Sequence, residues 1–375
     1  MNRWKTILAT MLLIIACVVT LVLVLHGQKA GEKIRLGCIS PFSGNGAVYG
    51  EALKRGFAIA LDELRAEAPE LADRIDIVYE DDQLEAQKGV SAAKKLIEID
   101  KVVLVVGPFT SNVALAIAPV AESSKKLLII PTATNYRLRK AGRYIFRVCP
   151  SDDLQGGILA DYVVDSLKTR KAGVLYMNTD YGVGLRDSFA ARFKGRGGEI
   201  VLTEAFEKDA TDVRAQLTRI KSSGVSLVFL PSNYREAVTA VRQARELGLS
   251  IRFLGTDGVF EPKFLELTKG ASEGMLVTTM AWDPQEDVAK AFAQKFERKF
   301  GEKPGAYSAL CYDALKCAIE CVRGGKTDSE SLRKRLAGLT IRGATGIISF
   351  DEDGQVRNKT FSIYVVKDGQ FVPAK

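Results

Sequence analysis

Apolar residues along this chain take two alternating forms. Short continuous runs bounded by Gly, Pro, Asn and Asp read as strands buried on both faces of a parallel sheet. Longer stretches with apolar residues every three to four positions read as amphipathic helices. The pattern predicts strands at Ile34–Ser40, Ile75–Tyr79, Val102–Val106, Leu127–Ile130 and Tyr144–Val148. Between them lie a helical stripe of Ala52, Leu53, Gly56, Phe57, Ala60, Leu61 and Leu64, a helix at Ala86–Ile99, and a third helix carrying Val113, Ile117, Val120 and Ala121. After Cys149-Pro150-Ser151 a second series begins, with strands at Ala172–Met177, Glu199–Thr203, Leu227–Leu230, Arg252–Leu254 and Met275–Thr279, and with helices containing Val213–Ile220 and Ala237–Leu247. Helices near Val288–Phe300 and Ala306–Arg323 precede a β-rich end. There Gly346–Phe350 and Phe361–Val366 flank the turn Asp351-Glu352-Asp353-Gly354 and are expected to form a ribbon. Two series of βα repeats predict an α/β protein with two parallel sheets, each covered on both faces.

One stretch breaks this pattern before any of it begins. Asn2-Arg3-Trp4-Lys5 precedes an apolar run from Ile7 to Leu25, 19 residues interrupted only by Thr10, Cys17 and Thr20. That is an N-terminal hydrophobic helix acting as signal peptide or membrane anchor, long enough to span a bilayer. No clean small-x-small cleavage site follows. Ile14-Ile15-Ala16-Cys17 resembles a lipobox, but mostly apolar residues would trail the lipidated cysteine. An uncleaved anchor is therefore placed before a cleaved signal, and lipidation third. With Arg3 and Lys5 held inside, each option puts the folded part on the periplasmic or extracellular face of the cytoplasmic membrane, tethered by residues 7–25 if the run is retained.

Composition narrows the chemistry. At 375 residues there is enough chain for two domains. Residues 1–32 contribute Arg3, Lys5 and Lys29 against Glu32, so the formal charge of +8 falls to +6 without them. The remaining positive charges are interspersed with acidic ones and form no basic face with aromatics, which argues against nucleic acid as a partner. The single histidine, His26, lies in the leader. The folded part thus lacks the imidazole needed for a Ser-His-Asp site, a histidine base or a His-ligated zinc. Cys311, Cys317 and Cys321 fall on a helix with Leu310, Ala314, Leu315, Ala318, Ile319 and Val322, which reads as core packing and not as a metal site.

Candidate binding residues gather at strand ends. Gly107-Pro108-Phe109-Thr110-Ser111-Asn112 ends one strand, with Ser and Asn where a helix N-cap belongs, and Pro131-Thr132-Ala133-Thr134-Asn135 ends the next. Free N–H groups beside hydroxyls suit a small carboxylate or phosphate. Tyr181 and Asp257 end strands of the second series. In open α/β sheets ligands bind beyond the carboxyl ends of strands, so two facing lobes would bring Ser111, Thr134, Tyr181 and Asp257 into one cleft. Hydroxyls opposite a carboxylate match a zwitterion, its carboxylate on Ser111 and Thr134 and its ammonium on Asp257. Gly44-Asn45-Gly46-Ala47-Val48-Tyr49-Gly50 only approximates a dinucleotide fingerprint. Pro41-Phe42-Ser43 intrudes before it, and the nearest acidic cluster, Glu80–Asp82, is too distant.

Ile34–Pro41 with Ser43-Gly44 and Tyr49-Gly50, Gly107-Pro108-Phe109-Thr110-Ser111, Pro131-Thr132-Ala133-Thr134, Asp180-Tyr181-Gly182 and Gly274-Met275-Leu276-Val277 occur in this order. Together they resemble the branched-chain amino acid (Leu/Ile/Val) binding-protein family, type I periplasmic solute receptors of ABC importers. The resemblance implies two Rossmann-like lobes joined by three crossings, expected near Val148, Thr279 and Thr345. Lobe one would take 33–148 plus 280–345, and lobe two 149–279 plus 346–375. It implies that Ser111 and Thr134 hold a ligand's α-carboxylate, that the Thr132 carbonyl and Asp257 take its ammonium, that Tyr181 closes over it, and that Tyr49 and Tyr307 border its side chain. The family commonly has Glu where Asp257 stands, and Gln83 and Thr110 occupy the regions of a disulfide found in some members. The family's ligands also include amides, urea and aromatic acids. The expected protein is a monomeric receptor without cofactor or metal that captures an amino-acid-like ligand and passes it to a membrane permease, with no chemical step. A membrane-anchored sensor using the same cleft is the alternative. An exported enzyme would have only carboxylates or tyrosine for acid–base work.

Overall fold

The computed structural model describes residues 32–374 except Pro284. The apolar run 7–25 and the lipobox-like segment lie outside the described residues. Among the described residues no helix is long and apolar enough to cross a membrane.

The first series forms a five-stranded sheet of β1 (Ile34–Ser40), β2 (Ile75–Asp81), β3 (Leu104–Val106), β4 (Leu127–Ile130) and β5 (Ile145–Arg147). Its order is β2-β1-β3-β4-β5 and every pairing is parallel. The apolar runs in β3, β4 and β5 are fully buried, as strands covered on both faces require. One cover is helix Ser111–Ser123 with Val113, Ala114 and Ile117 inward. The other is helix Ala47–Glu67, whose Leu53, Phe57, Ala60 and Leu64 are buried and which packs along helix Ala306–Val322. Gly56 makes that contact close: a Cβ there would stand 2.3 Å from the Ser308 carbonyl oxygen. A late stretch of the sequence thereby returns to the first sheet. Cys311, Cys317 and Cys321 are free thiols buried in that returning helix, matching its apolar sequence.

The second sheet has seven strands: β6 (Lys171–Met177), β7 (Glu199–Phe206), β8 (Leu227–Leu230), β9 (Arg252–Gly255), β10 (Leu276–Met280), and two from the end of the chain. Between these and β10 lies a separate hairpin, β11 (Thr340–Gly343) with β12 (Gly346–Ser349). β13 (Phe361–Lys367) and β14 (Gln370–Pro373) complete the sheet in the order β14-β13-β10-β9-β8-β6-β7, antiparallel at β10-β13-β14 and parallel elsewhere.

The expected ribbon is thus re-paired. Gly346–Ser349 bonds back to Thr340–Gly343, and Phe361–Lys367 bonds to β10. The buried Asp313 carboxylate accepts the Ala344 and Thr345 N–H groups at 2.6 and 2.9 Å and holds the hairpin turn against helix Ala306–Val322. The last crossing consequently follows the hairpin. The helix expected at Ala86–Ile99 is α-helical to Lys94 and continues as a π turn over Lys95–Ile99, where the consecutive Leu96 and Ile97 are both buried. Just before β3, Val102 still donates its N–H to the Leu96 carbonyl within that turn, while Val103 already donates to Arg35 of β1.

Candidate functional site

The carboxyl ends of the two sheets face each other across a closed cleft with a cavity of about 40 Å³. All seven residues expected at the site, Tyr49, Ser111, Thr132, Thr134, Tyr181, Asp257 and Tyr307, line it and are buried.

From the first sheet, β3 and β4 deliver the hydroxyl ledge. Thr110, not Ser111 or Asn112, is the N-cap of helix Ser111–Ser123, and its side chain makes no capping bond. The first-turn N–H groups are therefore not closed off by their own cap, which preserves the positive helix end for a ligand. Ser111 Oγ accepts the Asn135 N–H at 3.2 Å and links the two turns. The Thr132 hydroxyl donates to the Phe109 carbonyl at 2.7 Å, which fixes the course of the β4 turn. Arg147 Nη1 donates to the carbonyls of Thr134 and Asn135 at 2.7 and 2.9 Å, so a fully buried guanidinium pins this loop from behind.

From the second sheet come a phenol and a carboxylate. Tyr181 lies in the first turn of helix Asp180–Gly195, and its hydroxyl is 2.7 Å from Asp257 Oδ1 and 2.8 Å from Thr256 Oγ1. The Gly258 N–H donates to the same phenol oxygen at 3.1 Å. Asp257 Oδ1 also accepts Gln155 Nε2 at 2.9 Å. Burial raises the Asp257 pKa, and the hydrogen bonds from Tyr181 and Gln155 partly offset that rise. No cation compensates the carboxylate among the described residues. Burial also pushes the phenols of Tyr49, Tyr181 and Tyr307 well above their ordinary range, so all three stay neutral donors.

Rings close one side. Tyr49 stacks on Phe109 at 4.7 Å between centroids, and Tyr307 meets both edge-on at 5.9 and 4.9 Å. The Tyr307 hydroxyl donates to the Asp257 carbonyl at 2.7 Å, a bond from the first-sheet side of the cleft to the second. Asn135 Nδ2 to the Asp180 carbonyl at 2.6 Å and Arg137 to Asp180 at 2.9 Å also span the cleft.

Sequence reasoning missed several lining or supporting residues. Gln155 holds Asp257 and also donates to Thr278 Oγ1 at 2.8 Å; its signal was a lone amide on the apolar face of helix Asp152–Asp165. Phe109, Thr110 and Asn112 lay within a recognised motif without being singled out. Leu84, Met177, Lys208 and Asn233 also line the cavity. Met177 is the last residue of β6 and the other three stand just past strand ends, but nothing in their residue types distinguished them.

Residues 33–370 match the family model described as periplasmic binding protein. The Leu/Ile/Val-binding protein BraC3 of Rhizobium johnstonii is 31% identical over 352 residues, 92% of this chain and 95% of that protein. The solved leucine binding protein LivK of Thermotoga maritima is 30% identical with a TM-score of 0.84, over 91% of this chain and 98% of its own. The branched-chain amino acid transporter substrate binding protein LivJ of Streptococcus pneumoniae, solved with isoleucine, is also 30% identical, with a TM-score of 0.82 over 92% and 99%.

Proposed function

Because this chain belongs to the periplasmic binding protein family, we propose that its cleft captures an α-amino acid, branched-chain or otherwise aliphatic, and that the closed form delivers it to an ABC import permease. Family membership makes the folded part an extracytoplasmic receptor and not an enzyme. The observation that carries the ligand assignment is a buried carboxylate without a cation, Asp257, set across the cavity from a hydroxyl ledge at a helix N-terminus. A zwitterion satisfies both ends at once. In this reading Ser111 and Thr134 donate to the α-carboxylate, the Thr132 carbonyl and Asp257 accept from the ammonium, Tyr181 closes from the second lobe, and Tyr49 and Tyr307 flank the side chain.

The lobes in this proposal are 33–148 plus 280–349, and 149–279 plus 350–375, the last boundary being moved from the expected 345/346 to past the hairpin ending at Ser349. Residues 7–25 would tether the receptor to the membrane.

The test is thermal unfolding of the purified full chain, stripped of copurified ligand, against L-amino acids, amides and aromatic carboxylates. A ligand held only by the native state at a hundred times its Kd stabilises by about 2.7 kcal/mol. The expected result is a raised melting temperature with aliphatic L-amino acids. A shift only with acids lacking an amino group would remove the ammonium role of Asp257.

A further inference from the structure

The strand order fixes which way a ligand's side chain runs. The carboxyl ends of β9, β8, β6 and β7 are neighbours in that order, and past them stand Asp257, Asn233, Thr179 and Lys208. Adjacent strands are about 4.8 Å apart. An amino acid with its ammonium on Asp257 therefore lays its side chain across β8 and β6 toward β7. The first sheet agrees, with the hydroxyl ledge past β3 and β4, Tyr49 past β1 and Leu84 past β2.

That far end is polar. Lys208 Nζ crosses the cleft and donates to the Leu84 carbonyl at 3.1 Å, the same oxygen that accepts Asn112 Nδ2 at 3.2 Å. Asn233 is the N-cap of helix Tyr234–Glu246, yet its side chain caps nothing, and its amide nitrogen makes only a 3.9 Å contact with Met177 Sδ. A purely aliphatic side chain would cover these groups and satisfy none of them. The ammonium there already has one carboxylate beside it. Asp209 lies 3.8 Å from Lys208, and the buried carboxyls of Asp82 and Glu236 face the ammonium from the other elements packed around it.

We propose that this cleft also takes α-amino acids whose side chain ends in a neutral hydrogen-bonding group, a carboxamide above all, and that Lys208 and Asn233 set this specificity. The inference rests on the amino-acid reading above. A carboxamide oxygen accepts from Lys208 while its NH2 meets Asn233, and the aromatic wall takes the methylenes. A side-chain carboxylate fits less well because it would face Asp209 and its neighbours.

The test is calorimetric titration of L-glutamine, L-leucine and L-glutamate into the full chain, Lys208→Met and Asn233→Leu. The parent should bind glutamine within tenfold of leucine, and each variant should lower the glutamine-to-leucine affinity ratio at least tenfold. The ratio matters because losing the Lys208–Leu84 link would weaken every ligand alike. Glutamine more than tenfold weaker than leucine in the parent, or a glutamine-to-leucine ratio unmoved in both variants, overturns this inference and leaves the amino-acid reading standing. Glutamate binding more tightly than glutamine overturns the neutral group. Binding of none of the three overturns both readings.

Discussion

Replacing Asp257 by asparagine isolates the charge that the ligand's ammonium is proposed to meet. Asp257 is 4% exposed, and its Oδ1 accepts from Tyr181 and Gln155 at 2.7 and 2.9 Å. Asparagine keeps the shape and an acceptor for those two donors, and removes the charge. Truncating one member of a buried, hydrogen-bonded charge pair costs about 2–5 kcal/mol. At about 1.4 kcal/mol per decade that is a loss of about 30-fold to several thousand-fold. Complete burial favours the upper half, so at least about a hundredfold is expected by calorimetric titration with L-leucine. The unliganded protein should respond in the other direction. There the charge is buried without a cation and burial has raised its pKa, so the variant's melting temperature should stay level or rise. Parent affinity should fall as the pH drops through the raised Asp257 pKa, since protonation discards the charge; the variant should lack this dependence. Asp257→Ala should abolish binding with the fold intact. An Asp257→Asn affinity within threefold of the parent would refute the zwitterion model.

Two further outcomes follow from groups around the cleft. Burial lifts the Asp82 pKa from 3.8 to about 7, so the folded state keeps a proton that the unfolded chain releases. The associated stability is fully present below pH 4 and fades as the pH rises through about 7, by up to about 4 kcal/mol. Asp82→Asn keeps an acceptor for the Leu84 N–H and should flatten this part of the stability–pH curve; an unchanged curve in denaturant titrations would contradict the assignment. A Cβ at Gly258 would stand 2.7 Å from the Ser232 carbonyl oxygen and 3.0 Å from the Tyr181 hydroxyl. Gly258→Ala should therefore displace Tyr181, cost about 1–3 kcal/mol of stability and weaken ligand binding about tenfold; an unaltered Kd would show that Tyr181 does not need its present seat.

The strands and the ledge were legible because they rest on short-range patterns. The continuous apolar runs at Val102–Val106 and Leu127–Ile130 satisfy their backbones and bury both faces as adjacent parallel strands. Their exits, Thr110-Ser111 and Thr132–Thr134, then had to lie side by side. Asp257 and Tyr181 were found by the same rule in the other sheet. Pairings at long sequence separation were not visible. Nothing local in Gly346–Ser349 says that it turns back on Thr340–Gly343, and the hairpin turn is held by the Asp313 carboxylate, from a helix some thirty residues upstream. Lys208 was silent for a related reason. A lysine two residues past a strand is ordinary, and it gains meaning only from the Leu84 carbonyl it meets across the cleft.

The same reasoning ties the ledge to the hinge. The Thr134 carbonyl accepts from Arg147 Nη1 at 2.7 Å and from the Asp152 N–H at 2.8 Å, so it is fixed to both sides of the first crossing. Arg147 in turn donates its N–H to Gly354 at 2.9 Å and accepts from Val356 at 3.0 Å, which binds the first crossing to the last. A guanidinium that is 1% exposed and bonded to carbonyls is costly to bury. Its position makes that cost intelligible, because three segments converge on it and none can shift alone. Asn135, next to the ledge, meets Asp180 across the cleft, a contact that lobes swung apart would lose. In the proposed receptor, a rotation that opens the cleft would pivot beside the loop proposed to hold the ligand's carboxylate, and a ligand seated there would reach the hinge through Thr134 and Arg147.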